Sequence, residues 1–369
     1  MGYSPPTRSG HNMFVMASML QKAVRRGDPE RAGYAAYELF GGYDSMLWKR
    51  LLVISSEDCW GVLTKEIVRL QDEHRRANDG IKGYYKNPTF VSEAVTLLCD
   101  AKKSRDACYY ACNFILSNNA GTDEEVNLGE ALSLKQAISG EFSQGNLFST
   151  PRCTCEEKDI YAWKLYNAIR NCDMENSGYA VKRLLEMGEP LLWFVLLRAA
   201  EDLSGGVLNP EIAALRNADL FVNKKKAKNE RDPIFIAKSI MNLMYFLCGK
   251  YASVLSVPYL RTDSCVEWSG RAQVDISRCR LPENVIPDYV YDVHTIEGKR
   301  AGKTDWEMNL VENDALKPFQ PAFFETGSWE LRYDYKHEHS ICTEREYQMS
   351  LEYRKTHESN PAKKFLEKK

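Results

Sequence analysis

Hydrophobic positions recur with a period near 3.6 residues from His11 to about Leu260, which predicts a mostly α-helical chain. The first such segment ends at Gly27. Its apolar positions are Phe14, Met16, Met19, Leu20, Ala23 and Val24.

The residues after this segment carry the start and stop signals of short helical hairpins. Asp28-Pro29-Glu30 supplies an N-cap, a proline for the first turn and an acid beside the exposed amides. The pattern predicts a helix over 30–40 that stops before Gly41, and a third helix from Asp44 to about Ser56. Such short connections favour antiparallel helices over strands.

An internal repeat is the most informative feature of the chain. Residues 21–52 recur at 166–197 with eleven identities in thirty-two ungapped positions, where chance gives about two. Duplication is the simplest explanation, and the alternative is two amphipathic hairpins that share apolar periodicity by necessity. Periodicity alone does not require matched polar residues and tryptophans. The matched pairs include Arg25/Arg170, Asp28/Asp173, Gly33/Gly178, Tyr34/Tyr179 and Trp48/Trp193.

The predicted fold is mainly α, with two similar helical-bundle repeats packed together, an irregular Pro- and aromatic-rich wrapping segment, and a C-terminal helix. The predicted regions are a collar-like repeat 1 at 11–138, a linker at 139–157, repeat 2 at 158–260, the wrapping segment at 261–343, and a charged helix or tail at 344–369.

Composition excludes several classes of protein. Of 369 residues, 44% are hydrophobic and 27% are charged, which argues against general disorder. A net charge of −2 excludes a globally basic nucleic-acid coat, although a local basic face stays possible. No apolar run is long enough to cross a membrane, and no secretory signal is recognised. Eleven cysteines, an odd number, suit reduced thiols, so we predict a cytoplasmic protein.

The first repeat resembles a known family over three pieces of residues 16–58. These are Ala17 to Asp28 (ASMLQKAVRRGD), Ala35 to Leu39, and Lys49 to Asp58 (KRLLVISSED). A later stretch, CDAKKSR at 99–105, is similar except that Lys102 replaces the usual proline. These residues resemble the C-terminal region of the replication-associated recombination protein A family. The family is also called MgsA and, in eukaryotes, the Werner helicase-interacting protein.

The resemblance implies a helical, oligomerising collar from a clamp-loader-like AAA+ ATPase that acts at stalled replication forks. In that family the ATPase module precedes the collar, whereas here about ten residues do. The expectation is therefore a collar-like module without the ATPase, acting as a homo-oligomer in DNA replication, recombination or repair.

Two motifs near residue 300 bear on chemistry. Gly298 to Thr304 (GKRAGKT) is similar to the end of a P-loop but has three residues between its glycines instead of four, so we interpret it as a basic turn. Upstream, an extended 287–295 would place Asp288, Asp292 and His294 on one face. Asp292 and His294 could then orient a base or hold a metal, or Asp292 could pair with a cation while His294 fixes the loop.

Metal chemistry has one further candidate. His337, His339 and Cys342 offer three donors in six residues, but their spacing matches no common zinc pattern. We predict no bound metal and no cofactor, and no catalytic residue is assigned.

Basic clusters are the stronger signal. Lys22, Arg25 and Arg26 share a helix face, and such cations can neutralise DNA phosphates. The candidate DNA-binding residues are Lys22, Arg25, Arg26, Lys102, Lys103, Arg105, Lys224, Lys225, Lys226, Lys299, Arg300 and Lys303.

The leading hypothesis is therefore a non-enzymatic module that binds DNA or a replication-repair partner. One alternative is an interaction or inhibitor module that binds an AAA+ ATPase. Another is a metal-dependent hydrolase that uses Asp292 and His294 with His337 and His339.

Overall fold

A computed structural model describes the chain as a helical protein. Fourteen α-helices and no β-strand are formed by the residues that it describes, so the mainly α prediction is confirmed. The chain divides into two compact units, Met1–Asp106 with Arg261–Lys369, and Ala107–Leu260. The described residues are 6–116, 121, 125–139, 155–188, 190–224, 226, 231–247, 273–281, 285–304, 337 and 343–356.

Five helices form the framework of the first unit. Helix α1 begins after Asn12, whose side chain accepts a hydrogen bond from the Phe14 amide, and α2 begins after Asp28, whose side chain accepts one from the Arg31 amide. On α1 the predicted apolar positions from Met16 to Val24 are buried, whereas Phe14 is 61% exposed and contradicts the prediction at its position. The bounds are α1 Met13–Arg25, α2 Pro29–Leu39, α3 Asp44–Glu57, α4 Thr64–Ala77 and α5 Thr89–Asp100.

Further helices follow α5. Helix α6, Asp106–Tyr110, continues into a π-helical turn at Ala111–Ile115, and α7 covers Leu128–Ser139. Five more helices then form the second unit's framework. Their bounds are α8 Glu157–Arg170, α9 Met174–Met187, α10 Leu191–Ser204, α11 Asn209–Asn223 and α12 Ile234–Leu247.

The two sets of five helices correspond in order and position. Helices α2, α4 and α5 begin at Pro29, Thr64 and Thr89, and α9, α11 and α12 begin 145 positions later, at Met174, Asn209 and Ile234. In both units the first helix packs on the second, third and fifth, the third packs on the fourth, and the fourth on the fifth. The correspondence therefore extends beyond the thirty-two residues that the sequence aligns.

Hydrogen bonds repeat along with the helices. The Asn78 side chain donates to the Asn87 carbonyl at 3.2 Å and accepts from the Asn87 amide at 2.6 Å. The Asn223 side chain does the same with the Asp232 carbonyl and amide, at 3.2 and 3.3 Å. We call these two pairs the asparagine clamps. Each one ties the end of the fourth helix to the start of the fifth.

The matched glycines have a packing reason. A Cβ on Gly33 would lie 2.4 Å from the Cys279 sulfur, and one on Gly178 would lie 2.5 Å from the Phe114 carbonyl oxygen. Each glycine therefore admits a neighbouring segment against the second helix of its own unit.

The remaining predicted regions are described in part. Within 261–343 a 3₁₀ turn at Asp288–Val290 and a short helix α13, Ile296–Arg300, are present, and the closing helix α14 covers Glu344–Thr356. Most of the predicted linker and the residues after 356 lie outside the described part of the chain. Among the described residues, no helix is long and apolar enough to span a bilayer.

Six of the seven described cysteines are free thiols, as predicted. The seventh, Cys172, follows α8 and is disulfide-bonded, so the prediction of reduced thiols is wrong at this position. The matched tryptophans are core residues, also as predicted. Trp48 contacts the ring of buried His74 at 5.3 Å between centroids, and Trp193 donates from Nε1 to the Asp219 carboxylate at 3.0 Å.

Candidate functional site

A cavity of about 370 Å³ in the first unit is lined by one stripe of α1. Phe14, Ser18, Gln21, Lys22 and Arg25 lie at helical spacings of four, three, one and three residues, which places them on a single face. The other lining side chains are Arg50 and Glu57 from α3, Arg105, and Asp292, His294 and Thr295. We call this space the basic cavity.

A buried carboxylate anchors the inner end of the stripe. Asp58, fully buried after α3, accepts from Arg25 Nε at 2.6 Å and from Gln21 Nε2 at 2.8 Å. Gln21 in turn accepts from Arg50 Nη1 at 2.5 Å. Burial raises the pKa of the Asp58 carboxyl, and the charge of Arg25 opposes that rise. The network therefore fixes the orientation of three polar side chains at the cavity wall.

The Glu57 carboxylate also lies near two arginines, at longer distances than the 2.6 Å between Arg25 and Asp58. The Glu57 Oε1 atom lies 3.7 Å from Arg25 Nη2 and 3.8 Å from Arg105 Nη2. Arg105 is 6% exposed and Glu57 is half-buried. Glu57 therefore shares its charge between two guanidinium groups inside the cavity.

Residues 285–304, which we call the covering segment, lie over one side of the basic cavity. Ser18 Oγ and Lys22 Nζ both donate to the Val290 carbonyl, at 2.9 and 3.0 Å, and Lys22 forms an ion pair with Asp292 at 2.6 Å. A Cβ on Gly298 would lie 1.9 Å from the Asp292 carbonyl oxygen, so only glycine permits this close approach of α13.

The predicted shared face of Asp288, Asp292 and His294 is wrong. The segment is not extended, because Asp288–Val290 forms a 3₁₀ turn and the Asp292 carboxylate accepts from the His294 amide at 2.9 Å. Asp292 is buried, whereas His294 is exposed. The arrangement matches the alternative in which Asp292 pairs with a cation, here Lys22.

The expectation of an exposed basic face at Lys22 and Arg25 is also corrected, since both side chains are buried in ion pairs. Arg105 is buried at the cavity wall. Lys103 is 1% exposed because its ammonium group donates to the carbonyls of Leu98, Cys99 and Ala101 at the end of α5. These side chains therefore have roles inside the unit.

Other predicted cations are more accessible. Arg26 stacks on the Tyr289 ring at 3.9 Å, and half-buried Lys102 lies 5.6 Å from the Trp60 ring centroid. Lys303 pairs with Asp288 at 2.6 Å. Lys225 lies outside the described residues. The exposed members of the set are Lys299 and Arg300 on α13, and Lys224 and Lys226 after α11.

The metal candidates are not assembled in the part of the chain that the structure describes, where no group of three His, Cys, Asp or Glu side chains could hold an ion. His337 instead lies 3.0 Å from a Glu344 oxygen and stacks on Tyr347. His339 and Cys342 lie outside the described residues.

Sequence reasoning missed Phe14, Ser18, Gln21, Arg50 and Glu57 as members of one site. The available signal was the polar stripe on α1, which continues from Ser18 through Gln21 to Arg25 along an otherwise buried helix. The contributions of α3 and of residues 292–295 depend on tertiary packing and leave no local pattern.

A second cavity, of about 420 Å³, lies at the corresponding place in the second unit. Trp163, Tyr166, Asn167 and Arg170 occupy the positions of Ser18, Gln21, Lys22 and Arg25, and Asp202 occupies that of Glu57. Helix α7 lines this cavity where residues 292–295 line the first. We call it the aromatic cavity.

Comparison with protein-family models, curated proteins and solved structures finds no match to this chain. The resemblance of residues 16–58 to the collar family therefore stays a prediction.

Proposed function

We propose that this protein is a non-enzymatic helical module, built from two copies of one five-helix bundle, that binds DNA in replication, recombination or repair and acts as a homo-oligomer. The observation that carries the proposal is the residue-level correspondence of the two bundles, down to the asparagine clamps. The likeness of the first bundle to an oligomerising collar supplies the biological setting.

The exposed cations support the DNA part of the proposal. Lys299 and Arg300 project from α13, and Arg26 lies against the Tyr289 ring of the turn that precedes α13 in the covering segment. Glu297 on the same short helix is the opposing charge. Because phosphate contacts by Lys and Arg release counterions, binding through these residues has to weaken as salt rises.

A fluorescence-anisotropy titration with single- and double-stranded DNA at two salt concentrations tests this. The double variant Lys299→Gln/Arg300→Gln should bind more weakly and should reduce the slope of log K against log salt by about one for each lost phosphate contact. Its matched control is Arg75→Gln/Arg76→Gln, which removes the same charge from exposed positions on α4.

Equal losses in both double variants would mean that only net charge matters, and the assignment of α13 would be abandoned. Absence of salt-sensitive binding at micromolar protein would remove DNA binding from the proposal altogether.

The homo-oligomer part is supported by an exposed apolar patch in the second unit. Phe194 on α10 and Leu220 on α11 are 46% and 48% exposed, and Arg216 lies over the Phe194 ring at 5.8 Å. A second copy of this chain is the proposed occupant, because the collar resemblance implies self-association. Phe194→Ser should lower the native mass measured by light scattering, and an unchanged mass would remove this patch as the interface.

A further inference from the structure

We propose that residues 79–86 of the first unit bind single-stranded DNA by stacking one unpaired base on Tyr85 while Lys82 contacts a phosphate. We call these residues the clamped loop, because the Asn78 clamp closes it. The inference rests on the proposed DNA binding, to which it adds a second contact surface and a preference for unpaired strands. It does not use the cations of α13.

The clamped loop exposes several apolar side chains close together. Eleven large hydrophobic residues are exposed in the described part of the chain, and three of them, Ile81, Tyr84 and Tyr85, lie within five positions. Their exposed fractions are 39%, 51% and 92%. An isolated exposed hydrophobic residue needs no explanation, but a cluster of them marks an interaction surface.

Tyr84 is held in place by its neighbours. A Cβ on Gly41 would lie 2.6 Å from the Tyr84 ring, and one on Gly42 would lie 3.2 Å from its hydroxyl oxygen. The ring therefore packs closely on the turn that these two glycines form. The Arg8 guanidinium lies over the Tyr84 ring at 4.1 Å and over the Tyr37 ring at 3.9 Å, so one cation is shared between two rings.

The contacts of Tyr84 orient Tyr85. Both belong to the 3₁₀ turn Gly83–Tyr85, in which successive side chains point about 120° apart. Because Tyr84 packs on the glycine turn, Tyr85 projects into solvent, in agreement with its 92% exposure. The ends of the loop are fixed as well, by the asparagine clamp and by the ion pair between Lys86 and Asp44. The Tyr85 ring is therefore presented on an ordered backbone, which lowers the entropy cost of binding.

Two cations accompany the tyrosines. Lys82 is exposed in the loop, whose one acid is Asp79. Arg8 lies over the Tyr84 ring, and its buried Nε atom has no hydrogen-bond partner among the described residues. The Glu38 carboxylate accepts its three hydrogen bonds from the residues on either side of Arg8 and not from Arg8 itself. The surface around the rings therefore has more cations than acids.

Rings and cations on one surface are the chemistry of single-strand binding. Every base has a π face that stacks on an aromatic side chain, and Lys and Arg contact the phosphates. A base in a duplex is already stacked on its neighbours, so Tyr85 favours unpaired strands. A protein partner fits this surface less well, because lysine is depleted from protein–protein interfaces.

The corresponding loop of the second unit is cationic but lacks the rings. Residues 224–231 follow the second asparagine clamp and contain five Lys or Arg and one Glu. Lys224 and Lys226 are exposed. The sequence has Asn229 and Glu230 at the positions of the two tyrosines, and both lie outside the described residues. This second loop can contact phosphates, but its sequence has no aromatic residue to stack on a base.

Fluorescence anisotropy of the full chain tests the inference with three labelled probes of equal length: an oligothymidylate, the same strand without bases, and a duplex. We expect the oligothymidylate to bind more tightly than the abasic strand, because only the oligothymidylate can stack on Tyr85. Tyr85→Ala should weaken oligothymidylate binding about 5- to 140-fold, which is the loss of one stacked base. The same variant should leave binding of the abasic strand and of the duplex unchanged.

Matched variants separate stacking from charge. Tyr85→Trp keeps a flat ring and should retain binding. Phe14→Ala removes another exposed ring of the first unit, on α1, and should leave the affinity unchanged. Lys82→Gln should reduce the slope of log K against log salt by about 0.7, the value for one phosphate of a single strand, whereas Tyr85→Ala should not change that slope.

Equal affinities for the oligothymidylate and the abasic strand would overturn the inference, and so would equal losses in Tyr85→Ala and Phe14→Ala. Either result, with salt-sensitive binding intact, would leave the proposed contact through Lys299 and Arg300 in place. A loss in Tyr85→Ala that persists in the Lys299→Gln/Arg300→Gln background would support this site even if the α13 contact fails. Absence of binding by all three probes would overturn both proposals.

Discussion

The asparagine clamps allow the equivalence of the two bundles to be tested separately in each copy. Asn78→Ala removes two hydrogen bonds to the backbone of Asn87, and Asn223→Ala removes two to the backbone of Asp232. Both asparagines are buried, with 6% and 5% exposure, so water replaces the lost partners poorly. If the two copies share one design, both substitutions should loosen the same connection.

The magnitude follows from the hydrogen bonds. Two bonds at about 0.5–1.5 kcal/mol each give about 1–3 kcal/mol of local stability. Since 1.4 kcal/mol is a factor of ten, the amides of Asn87 and Asp232 should exchange with solvent roughly 5- to 140-fold faster. The Asn78 effect should be the larger one, because its Oδ1 contact is 2.6 Å and that of Asn223 is 3.3 Å.

Hydrogen–deuterium exchange with mass spectrometry measures this in peptides that contain Asn87 or Asp232. The controls are Asp79→Ala and Lys224→Ala, which change the exposed residue that follows each asparagine. Exchange no faster than in these controls would refute the clamp. A response in only one copy would refute the equivalence of the two bundles.

Three other predictions concern the first unit. Replacing Arg25 by Met should cost about 3–5 kcal/mol in urea unfolding, because it leaves the buried Asp58 carboxylate without its ion pair. Gly298→Ala should detach the covering segment from α1 and speed limited proteolysis near residue 300, because the new Cβ would meet the Asp292 carbonyl. Burial lowers the pKa of His74 below 6.5, so stability is full above pH 6.5 and decreases as pH falls from 6.5 toward the folded pKa, as thermal unfolding at several pH values would measure.

Each of the three has a distinct contradiction. The double variant Arg25→Met/Asp58→Asn should recover part of the loss, and full additivity of the two changes would argue against the pair. Unchanged cleavage in Gly298→Ala would mean that the segment is held elsewhere. His74→Gln should remove the pH dependence in that window, and an unaltered slope would assign it to another group.

The helices and their starts were predictable because the information is local. Apolar periodicity and the Asp28-Pro29-Glu30 sequence placed α2 within one residue of its observed bounds, Pro29–Leu39. The tandem correspondence was visible as well, since matched residues such as Trp48 and Trp193 have the same core position in both bundles. The asparagine clamps leave a weaker signal, because Asn78 and Asn223 match at the same offset but lie outside the aligned residues 21–52.

What the sequence determined by itself was the helical framework and its repetition, because helix signals act over a few residues along the chain. Tertiary structure alone decided which cations are accessible: Lys103 reaches back to the carbonyls at the end of α5, and Lys22 meets Asp292 from a segment 270 positions away. A run of charged residues along a helix does not predict these partners, because they are distant in the sequence. The basic cavity has the same origin, since its walls come from α1, α3 and the covering segment, and only folding brings their charges together.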